Sequence, residues 1–213
     1  MTSGPTGHHD LAAIGASVAD NLALFRGVWL DLVSAYHPDG TPMDRDLPSG
    51  RGGEPGGFPY QQLVYLDFDG RRLTQTNVVV RGRAPAARTF HAGIVDGILV
   101  FDPAGLEEPG TVGVSGGPGV LVLLPARVDT PEHRRFADPD YVRYLGGDQR
   151  TRTTTLYRDG ELKRILTVAG TRIHPDPSVR VPWDPRGPEG PVHDRDDQSH
   201  ENAAPLPSPE EPK

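Results

Sequence analysis

Cysteine is absent from the chain, and its absence excludes several kinds of site. Without thiols the protein has no disulfide framework, no thiolate nucleophile and no cysteine-based metal centre. The eight histidines never occur at the HxH or HExxH spacing that zinc sites use, so we expect no bound metal. No dinucleotide-binding glycine pattern follows a strand, and no Gly-Lys-Ser/Thr follows the glycine cluster at 116–119, so we also expect no cofactor.

Lysine and long apolar runs are scarce as well. Only Lys163 and Lys213 are lysines, so 20 of the 22 basic residues are arginines, a bias that indicates a GC-rich genome. The net charge is −7, and residues 175–213 hold −5 of it with nine acidic and four basic side chains, so we expect no nucleic-acid partner. Because no run of about 18 apolar residues and no signal-peptide pattern occurs, we expect a cytoplasmic protein without a membrane partner.

Four Asp-Gly pairs punctuate the β-rich part of the chain, at residues 39–40, 69–70, 96–97 and 159–160. Asp-Gly favours type I′ hairpin turns, which need positive φ at both central positions. Successive hairpins build an antiparallel meander, and closure into a barrel hides the edges of such a sheet. The sequence therefore predicts an all-β, up-and-down barrel of about eight strands, with a two-sheet sandwich as the alternative.

Composition divides the chain into three parts. Residues 1–20 predict a flexible lead and the start of a helix that spans 10–25, with Asp10 as its N-cap. Residues 21–174 form the predicted barrel; residues 98–102 and 112–115 are one bulged strand or two, and 129–147 predict a connection with a helical turn. Residues 175–213, with ten prolines, predict an acidic disordered tail. The Gly- and Pro-rich loop 41–59 is either a flap over the barrel mouth or a surface insertion.

The opening of the predicted barrel carries a family pattern. A short helix, then Asn21, then Gly27-x-Trp29 and a strand resemble the opening signature of lipocalins and the wider calycin superfamily. The resemblance covers about residues 21–173 and implies a barrel whose base is closed by Trp29, with a late arginine packed across the indole. Arg172 is expected to make that contact, and Arg164 is second. The final hairpin also resembles bacterial lipocalin-like domains, and small barrels of this general kind act as cyclases in actinobacterial polyketide pathways.

Alternate strand residues point into a small barrel, so Trp29 sets the parity of its strand. With Trp29 inside, Asp31 is inside too, where apolar walls would make its carboxyl group a candidate general acid or base; with the other parity it is a solvated residue. His91 is the second candidate for proton transfer, because imidazole titrates near neutral pH, or else it is structural. Gln75 and Asn77 share a strand face and offer amides to a ligand oxygen. The predicted ligand-binding residues are Trp29, Tyr65, Gln75, Asn77, Arg152, Thr154 and Tyr157.

Two functions follow from this reading. The first is a cofactor-independent enzyme that holds a small, largely apolar, polyketide-like metabolite in the barrel and promotes its cyclisation or isomerisation, for example by spiroketal formation or cycloaddition. The alternative is a non-catalytic intracellular carrier or sensor of a hydrophobic ligand. A third option is a filled barrel whose tail recruits a partner, and a homodimer is compatible with each of these. An open interior with convergent polar groups favours the enzyme, an open and purely apolar interior favours the carrier, and a filled interior favours the third option.

Overall fold

Ten antiparallel strands form one closed barrel in the computed structural model of the protein, which describes residues 17–43, 57–82, 86–102, 111–125, 140–158 and 161–187. Each strand pairs with its neighbours in the sequence, and the first pairs with the last to close the sheet. The strands are β1 (Gly27–Tyr36), β2 (Tyr60–Phe68), β3 (Arg72–Arg81), β4 (Ala87–Val95), β5 (Ile98–Phe101), β6 (Thr111–Ser115), β7 (Val120–Pro125), β8 (Asp140–Gly146), β9 (Gln149–Arg158) and β10 (Glu161–His174).

The strand number corrects the prediction of about eight. The two short segments that could have been one bulged strand are two, because β5 pairs with β4 on one side and with β6 on the other. β8 is a strand where a helical turn was expected. Its residues alternate between more and less buried positions, and this period of two outweighs the local composition.

Two tight hairpins show the turn geometry that sharp reversals need. Asp96 and Gly97 join β4 to β5 with φ of 50° and 78°, so both central residues are in the left-handed region, as an Asp-Gly pair predicts. Gly147 and Asp148 do the same between β8 and β9, with φ of 56° and 62°; this turn was not predicted because the two residues occur in the reverse order. The predicted turn at 159–160 lies outside the described residues.

The helix α1 (Val18–Phe25) starts later than the helix predicted for 10–25. Ser17 caps it: the Ser17 hydroxyl accepts a hydrogen bond from the Asp20 amide, and the Asp20 carboxylate accepts one from the Ser17 amide. The expected cap, Asp10, lies outside the described residues. Asn21 fixes the helix to the β6–β7 turn, because its side chain donates to the Val120 carbonyl (2.8 Å) and accepts from the Gly119 amide (2.7 Å). None of the helices in the described residues is long and apolar enough to cross a membrane.

The parity taken from Trp29 is confirmed. Trp29, Asp31 and Val33 are buried on the inner side of β1, whereas Leu32 is exposed. Part of the interior is filled: Phe58, from the end of the 41–59 loop, packs on Val33 and on the neighbouring inward residues of β1 and β10. The predicted flap itself, at 44–56, lies outside the described residues.

Residues 175–187 run through turns along the outer face of the barrel. Val181 is buried in an apolar cluster with Val28, Leu63, Tyr65 and Val78, which belong to β1, β2 and β3. This first part of the segment predicted as a disordered tail therefore has a fixed place against the strands. Residues 188–213 lie outside the described residues.

Candidate ligand-binding cavity

A cavity of about 300 Å³ lies in the barrel interior, against α1. Leu22 and Phe25 of the helix face it, and the strands add an apolar wall. Its polar lining comes from β1, β3, β6, β8 and β9. A mostly apolar pocket with a few convergent polar groups is typical of a small-molecule site. The apolar lining includes Val64, Leu66, Leu73, Leu99, Leu121 and Leu123.

Asp31 and Arg150 form a buried ion pair in the cavity wall. Arg150 donates from Nε to Asp31 Oδ1 (3.2 Å) and from Nη2 to Oδ2 (2.8 Å), and the two side chains are only 7% and 4% exposed. Gly170 of β10 makes room for the pair, because a Cβ there would lie 2.8 Å from Arg150 Cγ and would overlap Asp31 Oδ1. Both carboxylate oxygens of Asp31, the predicted acid or base, are therefore engaged.

A second ion pair joins β8 to β9. Arg152 donates through Nη2 to Asp140, whose other carboxylate oxygen accepts from the Thr154 hydroxyl. Burial on its own lowers the pKa of the Arg152 guanidinium, but the charge and hydrogen bond of Asp140 outweigh burial and raise that pKa above its ordinary value. Arg152 thus stays a cation inside the barrel. Its side chain is nevertheless 32% exposed, and because it lines the cavity we assign that exposure to the cavity side.

Gln75 and Asn77 line the cavity from β3, as the sequence predicted. The Gln75 amide nitrogen donates to the Asn77 side-chain oxygen at 2.9 Å. Each amide has further donor or acceptor capacity beyond this bond, since an amide side chain offers two donors and an acceptor. The pair can therefore orient an oxygen or a hydroxyl on a bound molecule.

Trp29 lies at the helix end of the barrel and is fully buried. Its Nε1 donates to the Phe25 carbonyl at 2.7 Å. The guanidinium of Arg172 lies 4.8 Å from the indole centroid, so the predicted contact between the two residues is confirmed. Arg150 lies at 4.5 Å from the same ring, a contact that the sequence did not predict. Trp29 is not among the cavity-lining residues, so it supports Arg150 rather than facing the cavity.

Tyr65 lies outside the barrel interior, beneath the segment 175–187. Its hydroxyl donates to Asp184 Oδ2 at 2.6 Å, and the Arg186 guanidinium lies over its ring. Burial, together with the hydrogen bond to Asp184 and its charge, raises the pKa of Tyr65 to about 12. Burial alone raises the pKa of Asp184, but the hydrogen bonds from Arg186 and Tyr65 outweigh it and lower the pKa. Tyr65 thus anchors the C-terminal segment.

His91 and Tyr157 do not line the cavity. On β4 the neighbour of His91, Phe90, faces the cavity, so strand alternation turns His91 outward, 3.3 Å from the Thr74 hydroxyl. On β9, Tyr157 has the opposite parity to the inward residues Arg152 and Thr154, so it also points outward. The structure therefore brings Asp31, Gln75, Asn77, Arg152 and Thr154 together and leaves Trp29, Tyr65, His91 and Tyr157 apart from them.

Three residues of the site were missed from the sequence. Arg150 has the parity of Arg152 and Thr154, so strand alternation was a signal that could have found it. Asp140 lay in a segment predicted as a helical turn. Gly170 carries no sequence signal, because its role depends on a contact between β1, β9 and β10.

Gly113, Ser115 and Gly117 have the Gly-x-Ser-x-Gly spacing of hydrolase nucleophiles, which act from a sharp strand-to-helix turn. Here they span the end of β6 and the hairpin turn into β7, and no helix follows. The Ser115 hydroxyl accepts from Asn21 Nδ2 (3.0 Å) and from the Gly117 amide (3.2 Å). The spacing therefore does not indicate a hydrolase. Within the described residues, no group of three or more His, Asp or Glu side chains is placed to hold a metal ion.

Comparison with solved structures finds a related fold. A protein of unknown function from the DUF3598 family of Nostoc punctiforme is similar, with a TM-score of 0.53 and 19% sequence identity. The similarity covers 71% of this chain and 49% of that one, so the chain matches about half of the larger protein. At this identity the likeness supports the barrel fold and nothing finer. No protein-family model and no curated protein sequence matches the chain.

Proposed function

We propose that the protein binds a small, largely apolar molecule with one polar end inside the barrel. The observation that carries this proposal is the cavity of about 300 Å³ with its apolar wall and its two ion pairs. This volume is at the lower end of the about 300–1,000 Å³ that ligand pockets span. The apolar body of the ligand would contact the leucines of β3, β5 and β7, and its polar end would face β8 and β9.

We further propose that the bound molecule is cyclised or isomerised without a cofactor. The cavity would restrict the conformers of a flexible substrate, and the Arg152 guanidinium with the Gln75 and Asn77 amides would stabilise charge that develops on an oxygen. Arg150 donates to both oxygens of Asp31 and so stabilises its ionised form, which makes Asp31 a weaker proton acceptor than an unpaired carboxylate. We therefore assign the first role in this reaction to the donors rather than to Asp31.

The kinship with lipocalin-like cyclases stays a proposal as well. Gly27-x-Trp29 at the start of β1 and the guanidinium of Arg172 across the indole support it. A polyketide-like substrate would suit both the size and the apolar wall of the cavity. The location proposed for such an enzyme, whether monomeric or dimeric, is the cytoplasm.

Binding in the cavity can be tested by filling it. Leu121 of β7 is buried and faces the cavity, whereas Leu124 on the same strand is 40% exposed. With N-phenyl-1-naphthylamine, a neutral dye that fluoresces in apolar surroundings, we expect saturable binding to the unmodified protein. Leu121→Trp should weaken this binding at least tenfold, and the matched control Leu124→Trp should leave it unchanged. Equal binding by both variants would place the dye on the outer surface and contradict the proposal.

A non-catalytic carrier is the second candidate, and a specific observation favours it. The polar groups of the cavity are paired with one another, as Asp31 with Arg150, Asp140 with Arg152, and Gln75 with Asn77. Groups whose hydrogen-bond capacity is partly used by one another are less available for proton transfer, which favours binding without reaction. Native mass spectrometry of protein purified from its own source would give the mass of a bound ligand. When that ligand is incubated with the protein and recovered by chromatography, an enzyme returns a converted compound and a carrier returns the same compound.

A further inference from the structure

We propose that the polar end of the ligand is an anion, a carboxylate or an equally acidic oxygen group, and that Arg152 binds it. This inference rests on the proposed function, since it names the chemical class of the molecule that the cavity takes. Three features of the interior lead to it: the unused donors of Arg152, the balance of charge on the inward strand faces, and the position of Asp140.

Arg152 has more hydrogen-bond donors than the protein uses. A guanidinium offers five N–H groups, and the structure records one bond from Arg152, from Nη2 to Asp140. Its Nε is buried, and no acceptor in the described residues reaches it. A buried donor without an acceptor costs free energy, and the exposed part of the Arg152 side chain lets a bound molecule accept from its remaining N–H groups. Arg150 differs, because Asp31 takes two of its donors in a fork geometry.

The inward faces of the described strands carry more guanidinium than carboxylate. Arg150 and Arg152 face inward from β9. On β10, Arg164 has the parity of Gly170, which meets the Asp31–Arg150 pair, and its guanidinium lies 5.9 Å from the inward ring of Phe58. Arg164 Nε is also buried without an acceptor. The inward carboxylates of these strands, Asp31 and Asp140, pair with Arg150 and Arg152, and Arg172 at the Trp29 end pairs with Asp148, so within the described residues Arg164 is the inward guanidinium without a carboxylate partner.

The inward charged groups and the unused Arg152 donors together determine which ligand charge the cavity favours. The cavity lining holds two guanidiniums and two carboxylates, so a cation would have to compete with an arginine for either carboxylate. A neutral apolar molecule would leave the Arg152 donors without acceptors. An anion avoids both costs, because it accepts from Arg152 and a charge-assisted bond to guanidinium is about twice as strong as a neutral one. Asp140 is the group that opposes the anion, since its carboxylate shares Arg152. Removing its charge should therefore strengthen anion binding.

The test compares decanoate with methyl decanoate, which has nearly the same apolar chain but no charge. Isothermal titration calorimetry at pH 7 should show decanoate binding at least tenfold more tightly to the full chain. Arg152→Met should abolish this preference, because it weakens the binding of decanoate far more than that of methyl decanoate. The control Arg71→Met, at an exposed turn residue, should keep the preference. Asp140→Asn should raise the affinity for decanoate several-fold without changing that for the ester, an increase that damage to the fold does not produce.

The outcomes separate the inference from the function it rests on. If both probes bind with equal affinity to the unmodified protein, the anion assignment is overturned and the binding function stands. If neither probe binds, the proposed function fails and the inference fails with it. If Arg152→Met does not fold, the double variant Arg152→Met with Asp140→Asn, which removes both charges of the pair, should bind the two probes equally. A preference for decanoate in that double variant would assign the anion to another residue.

Discussion

Gly170 is the residue at which a single methyl group should disturb the cavity wall most. A Cβ built there overlaps Asp31 Oδ1 and lies 2.8 Å from Arg150 Cγ and 2.9 Å from Arg150 Nε. These atoms belong to the buried pair itself, so a shift of either side chain disturbs the ion pair. Gly170→Ala must push the two residues apart or displace β10.

The size of the expected loss in the free energy of unfolding follows from the burial of the Asp31–Arg150 ion pair. Breaking a buried ion pair costs about 3–5 kcal/mol when one charge is left without compensation, and overpacking costs about 1–3 kcal/mol. Because the pair is strained by Gly170→Ala rather than removed, we expect a loss of about 2–4 kcal/mol in the free energy of unfolding. For a domain of this size that loss lowers Tm by roughly 4–16 °C.

The assay is urea unfolding followed by circular dichroism, with Gly93→Ala as the matched control. Gly93 is also within a strand, β4, but a Cβ there meets nothing within 4 Å. Alanine has less conformational freedom than glycine in the unfolded chain, so Gly93→Ala should be neutral or slightly stabilising. A loss for Gly170→Ala no greater than that for Gly93→Ala would refute the reasoning.

A double-mutant cycle then assigns the loss to its cause. Asp31→Ala removes the oxygen that the new methyl group meets. The combined variant should therefore lose less stability than the sum of the two single variants, by at least about 1 kcal/mol. Additive losses would place the strain in the backbone of β10 instead.

Two further predictions concern the outer contacts of the barrel. The pKa of Tyr65 is about 12 in the folded protein and about 10 in the unfolded chain, so folding favours the protonated phenol. The stability that this phenol contributes is complete below pH 10 and is lost as the pH rises through 12. Urea unfolding should therefore show the unmodified protein losing stability relative to Tyr65→Phe by about 1 kcal/mol between pH 8 and pH 11, and a constant difference would contradict this. Asn21→Ala should cost about 2–3 kcal/mol, because the Gly119 amide and the Val120 carbonyl lose a buried partner, and the same unfolding assay checks it.

The sequence predicted the parts of the fold that short-range chemistry determines. Asp96 and Gly97 form the turn expected of them, whereas at 39–40 and 69–70 only the glycine has a positive φ, so the type I′ prediction was wrong there. Trp29 set the inward parity that places Asp31 in the cavity wall. The same alternation places Gln75 and Asn77 correctly. These predictions depended only on φ preferences and on the period of two along a strand.

What the sequence could not predict depends on contacts between distant segments. Tyr65 and Arg152 are both polar strand residues among apolar neighbours, yet Tyr65 bonds Asp184, 119 residues away, whereas Arg152 faces the cavity. No local pattern tells these environments apart. The strand count failed for a related reason, since β5 and β6 have only four and five residues and owe their structure to their neighbours.

The two ion pairs of the cavity are also poorly explained by stability. Replacing a buried ion pair with apolar side chains of similar volume is often neutral or stabilises a protein by about 1–4 kcal/mol, because desolvation of two charges offsets their attraction. Apolar residues fill the neighbouring inward positions, because Val33 and Val168, each two residues from Asp31 and Gly170, are buried in an apolar cluster. An interior that needed only to be filled could have continued that pattern. Asp31, Asp140, Arg150 and Arg152 instead line the cavity, where a bound molecule can reach them, and this placement supports a role in recognition rather than in folding.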